Sequence, residues 1–130
     1  RWKRSGSASA DFLLKRGEDA IERGELDAAV EHLTALTDHA PEFTEGWVTR
    51  AAAFARQQKF GMALSDLEHA LALNPQHYEA IYGLGSIFEA IGRPEDAYEA
   101  FVILRTIHPH YPDLSQTLER LETMAKGQKL

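Results

Sequence analysis

Six histidines and one serine among glycines are the residues whose types could do chemistry. His108 and His110 flank Pro109 in the run HPHYP, and imidazole suits Zn or Cu. Two ligands on either side of a proline make a poor cage, since a closed metal site takes about four. His32 and His69 fall on the solvated side of a helical stretch, and His39 and His77 fall in turns. Ser86 closes GLGS, residues 83–86, but no base accompanies it, and the run sits inside a helical segment where it cannot cradle a phosphate. The aspartates and glutamates are spread over solvated faces. The expectation is a chain that is not an enzyme, with no catalytic residue, no cofactor and no metal; metal handling through His108 and His110 is the distant alternative.

Composition narrows the classes further. The chain has 130 residues, 44% of them hydrophobic, and no cysteine. That is one domain's worth of chain with enough apolar side chains for a modest core. It leaves no disulfide framework and no thiolate site. The net charge is −6, and three of the 14 basic residues, Arg1, Lys3 and Arg4, lie in the first nine positions. The rest is more acidic than the whole, so it repels a phosphate backbone and nucleic acid is not an expected ligand. No run reaches the ~20 apolar residues that a transmembrane helix needs. Residues 1–9, RWKRSGSAS, read as a flexible lead-in, the end of an upstream segment.

The elements that position these residues recur every 34 positions. Pro41, Pro75 and Pro109 share one register, as do Ala29, Ala63 and Ala97, and Leu33, Leu67 and Phe101. Gly17, Ala51 and Gly85 share another, and Leu13, Trp47 and Ile81 a fourth. Small residues stand where two helices must approach, and larger ones fill around them. Each period divides into two helix-length segments, a first helix A and a second helix B, stopped by Gly24, by Gly92 and by the prolines. Gln57-Gln58-Lys59 stands where a glycine turn is expected. Arg50 takes a register that Leu84 fills one period later, and it is expected to weaken packing there. Leu114, Leu118, Leu121 and Ala125 form an apolar stripe on a seventh helix.

A period of 34 built from helix pairs marks a helical repeat array, and these three copies in register resemble the tetratricopeptide repeat (TPR) family. The resemblance implies an all-α fold, a right-handed superhelical array of three TPR helix pairs plus a C-terminal capping helix. It would divide the chain into a lead-in at 1–9, repeats at 10–43, 44–77 and 78–111, a capping helix at 112–126 and a tail at 127–130. Such arrays line a concave groove with their A helices. Carried over residue by residue, the groove positions include Leu14, Glu45, Val48, Thr49, Ala52, Ala55, Glu79, Tyr82, Ser86, Glu89 and Arg120.

The family members that bind chaperone C-termini hold the carboxylate with Lys, Asn and Arg, of which only Lys15 is present here. Asp11, Glu45, Glu79 and Asp113 make the second position of the period acidic four times. Carboxylates in a first helical turn are also favoured by the helix dipole by ~0.3–1 kcal/mol. The implied function is a non-catalytic protein–protein interaction module that takes a partner's peptide or helix, with an apolar segment and basic residues to meet the acidic positions. The alternative is a structural, self-assembling domain packing on its own upstream segment or on a second copy. A monomer or weak homo-oligomer is expected. The repeat boundaries resemble those of bacterial TPR proteins, some of which are exported to the cell envelope, so the resemblance favours the bacterial periplasm over the cytoplasm.

Overall fold

A computed structural model describes residues 5–129. Among these residues there are seven helices and no strand: α1 (Ala8–Glu22), α2 (Leu26–His39), α3 (Thr44–Arg56), α4 (Phe60–Leu73), α5 (Tyr78–Ala90), α6 (Pro94–Ile107) and α7 (Leu114–Lys129). They fall into two compact units, Arg1–Pro75 and Gln76–Leu130.

In the first unit α1 packs on α2, α2 on α3 and α3 on α4. Its core holds Ala10, Leu14, Ala20, Ala29, Leu33, Leu36, Ala40 and Ala53. A Cβ on Gly17 would stand 2.4 Å from Leu33 Cδ2, so only glycine lets α1 and α2 close over that leucine. In the second unit α5 packs on α6 and α6 on α7. The same device recurs at Gly85, where a Cβ would lie 2.7 Å from the Phe101 ring. Leu114, Leu118 and Leu121 of α7 are buried, as their i, i+4, i+7 spacing requires.

The turns show why one period needs no glycine. Gly24 and Gly92 have φ of 75° and 79°, and Gln58, at the same register, adopts 62°. All three turns carry the same bond spanning five residues, Glu25 N–H to Ala20 O, Lys59 N–H to Phe54 O and Arg93 N–H to Phe88 O. This closure demands the left-handed conformation, and in the middle turn a glutamine adopts it at a steric cost.

Two sequence-based boundaries shift. Of the expected lead-in, residues 5–9 are tied down. The Ser5 backbone N–H and hydroxyl donate to Asp11 Oδ1 at 2.8 and 3.1 Å, and the Ser7 hydroxyl caps α1 by accepting from the Ala10 N–H. The cap starts α1 at Ala8 rather than Ala10. Residues 1–4 lie outside the described residues. The expected tail at 127–130 is helical as far as Lys129.

Candidate functional site

In the first unit Leu14 retains 6% of its surface, inside the core. That corrects its assignment to a binding face, because a side chain already enclosed offers a partner almost no area. Glu45 is likewise buried, at 7%, in the first turn of α3. Val48, Thr49 and Ala55 on the same helix are half-buried, and Ala52 is exposed.

Arg50 does the opposite of weakening the packing. Its guanidinium grips Asp66 with two prongs, Nε to Oδ2 at 2.9 Å and Nη2 to Oδ1 at 2.8 Å. Its Nη1 reaches the hydroxyls of Thr34 and Thr37, each at 3.2 Å. The group lies 5.1 and 5.5 Å from the Trp47 and Phe54 ring centres, a cation–π arrangement. The side chains of Arg50 and Asp66 keep 16% and 5% exposure. One cation thereby ties α2, α3 and α4 together, and the Asp66 hydrogen bond holds its pKa above the usual arginine value against the opposing effect of burial. Trp47 adds a second tie: its indole N–H donates to Pro41 O at 2.8 Å, and its ring stacks on His69 at 3.7 Å. His69 is therefore half of a stacked pair rather than a purely solvated side chain.

The second unit carries the other five predicted residues, Glu79, Tyr82, Ser86, Glu89 and Arg120. Tyr82 of α5 stacks on Tyr111, with ring centres 5.2 Å apart and planes at 29°, and meets Phe101 edge-on at 5.6 Å. Tyr78, one turn before, meets Tyr111 at 6.3 Å and His108 at 5.1 Å, both at steep angles. His108 in turn meets Tyr111 at 5.5 Å and 82°. Despite this packing Tyr78 and Tyr82 remain 38% and 42% exposed. Burial, with neighbouring Tyr82, Tyr78 and Glu79, pushes the Tyr111 hydroxyl above its ordinary pKa.

Beside the rings, Arg120 of α7 grips Glu89 of α5 with both terminal nitrogens, Nη2 to Oε1 at 3.2 Å and Nη1 to Oε2. This bond holds the Arg120 pKa above its usual value. Ser86 is half-buried and Glu79 exposed. Three acids of the repeated position, Asp11, Glu45 and Glu79, lie in first helical turns. Asp113 instead precedes α7 with φ of 60°.

The sequence reading weighed His108 only as a metal ligand beside His110, and Tyr78 and Tyr111 were not among the expected groove residues. Its available signal was Tyr78 and Tyr82 at i, i+4, which places two large rings on one helical face.

The sequence profile of the tetratricopeptide repeat family matches residues 14–61 and 48–112. The chain belongs to this family. A TPR repeat-containing protein of Rhizobium etli is 29% identical over 108 residues, which is 83% of this chain and 53% of that protein. The chain spans between about a quarter and just over half of the length of three curated relatives that it matches. The first TPR of Spaghetti (RPAP3), solved bound to the HSP90 peptide SRMEEVD, superposes with a TM-score of 0.88. It is 25% identical, and the match covers 92% of this chain and 95% of that one. An O-GlcNAc transferase of Thermobaculum terrenum matches with a TM-score of 0.80 at 21% identity, over 91% of this chain but 23% of its own. That last likeness is one of fold alone.

Proposed function

We propose that this TPR chain is a non-catalytic interaction module that holds a peptide or helix of a protein partner. The observation that carries the reading is the half-exposed tyrosine cluster of the second unit, in a chain whose fold matches a TPR domain solved with a bound peptide. Large aromatic side chains left half open to water are what protein interfaces use as anchors. Val48, Thr49, Ala52 and Ala55 of the first unit, and Glu79, Tyr82, Ser86, Glu89 and Arg120 of the second, are the proposed contact residues. The peptide SRMEEVD carries three acidic side chains, and the repeated acidic position here would repel them. The partner segment is accordingly apolar with basic residues, and a periplasmic setting in a bacterium goes with the same reading.

The test is affinity capture from the source organism with the wild-type chain, Val48→Glu and Tyr82→Ala as baits, alongside direct titration of SRMEEVD. The expected result is a partner held by wild type, lost from Tyr82→Ala, and no measurable SRMEEVD binding. Identical captures from all three baits would overturn the assignment of the contact residues. A sedimentation coefficient that rises with concentration, with no captured partner, would replace the reading by self-assembly.

A further inference from the structure

The tyrosine cluster carries more than an exposed apolar area, because its geometry and its field agree. Tyr82 stacks on Tyr111 at 29°, but Tyr78, Tyr111 and His108 are set against one another at 61°, 66° and 82°, so beyond that one pair the rings do not continue a parallel stack. A parallel stack hides ring faces; rings at steep angles leave faces and edges turned in different directions. Tyr78 and Tyr82 each keep more than a third of their surface. The face of an aromatic ring is its electronegative side, and a cation within about 6 Å of it is attracted.

The charges nearby point the same way. Glu79, between the two exposed tyrosines in sequence, lies on α5, and after burial and the two neighbouring tyrosines its carboxylate further disfavours ionisation of Tyr111. Arg120, a cation that interacts with Tyr82, is engaged by both oxygens of Glu89, so its charge is largely neutralised locally. What remains is an aromatic corner with the carboxylate of Glu79 on the same helix as its two exposed tyrosines, in a chain with 20 acidic against 14 basic residues.

The geometry points to a cation-binding subsite: Tyr78, Tyr82, Tyr111 and Glu79 take an arginine side chain of the partner peptide, its guanidinium against a tyrosine face and its charge toward Glu79. Arginine fits better than lysine because its flat, weakly hydrated group stacks on an aromatic face and still donates to a carboxylate. All four residues lie within the second unit. The proposal rests on the peptide-binding reading above and sharpens it to one side chain.

The test titrates the whole chain with the short peptide Ac-ALARALA-NH2 and with its citrulline counterpart, which keeps the shape of arginine but not its charge. Binding is read from the aromatic NMR signals of Tyr78, Tyr82 and Tyr111. The arginine peptide is expected to shift these signals and to bind roughly five- to thirtyfold more tightly than the citrulline peptide. Glu79→Gln should remove most of that ratio. Tyr82→Phe, which keeps the ring, should retain it, while Tyr82→Ala should lose it. Equal affinity for the two peptides would overturn the cation subsite and leave the interaction module standing. So would perturbation of Val48 and Thr49 in place of the tyrosines, or tighter binding of a proline-rich peptide at the same rings. Absence of binding by either peptide also sinks the subsite, while capture of a partner through Tyr82 would show that the broader reading survives.

Discussion

Arg50–Asp66 in the first unit and Arg120–Glu89 in the second are both two-pronged guanidinium–carboxylate pairs, yet one is enclosed and the other is open to water. The side chains of the enclosed pair keep 16% and 5% of their surface, those of the open pair 49% and 28%. Arg50 also donates through Nη1 to Thr34 and Thr37 and lies against the Trp47 and Phe54 rings. Arg120 has Glu89 and a weak contact to the Met124 sulfur. A buried pair is costly to break, because removing one partner strands an uncompensated charge. An exposed pair is screened, and water replaces a lost partner. The same chemistry therefore serves architecture in one unit and surface character in the other.

Asp66→Ala should show the largest effect, a loss of ~3–5 kcal/mol in urea denaturation. A loss under ~1 kcal/mol would mean that the Arg50 charge finds water and the contrast is false. Replacing both partners sharpens the point. One period later the two registers hold Leu84 and Ala100, so Arg50→Leu with Asp66→Ala should recover most of the single variant's loss. A double variant as unstable as Asp66→Ala alone would show that Thr34 and Thr37 depend on the guanidinium.

Next comes Gly85→Ala, which puts a methyl against the Phe101 ring and should cost ~1–3 kcal/mol. The first unit carries alanine at that register in Ala51, buried at 2%. A neutral Gly85→Ala would show that Phe101 gives way and that the two crossings are equivalent. Glu89→Gln should cost less than ~1 kcal/mol, with the loss diminishing in salt; a larger cost would move this pair into the architectural class. The smallest change expected is a gain of ~0.5–1 kcal/mol from Gln58→Gly, since glycine adopts the left-handed φ without the Cβ clash. No gain would mean that the Gln58 side chain or its neighbours compensate the strain.

Much of the fold was legible because helix pairing leaves a periodic record. Gly17 with Leu33 and Gly85 with Phe101 are each 16 residues apart, and a small residue recurring opposite a large one fixes which helices cross. The buried ion pair has that same spacing, Arg50 to Asp66. The arginine was visible as a departure from the pattern, but read alone it looked like a flaw, because its partner and the two threonines are contributed by other helices. The candidate site was legible in part. Tyr82, Glu89 and Arg120 could be placed by register, whereas the contact of Glu89 with Arg120, 31 residues apart, depends on where α7 lies against its unit. Leu14 failed for the opposite reason: its register is right, but the local packing encloses it.

The sequence by itself determined the helices, their order, the turns and the family, because these follow from local conformational preference and from a hydrophobic period repeated three times. Only the tertiary structure decided that Arg50 is a tie rather than a weakness, and that Tyr78, Tyr82, Tyr111 and His108 converge. Burial and ring contact depend on side chains brought together from separate helices, and a periodic pattern records which face points inward without recording what meets it there.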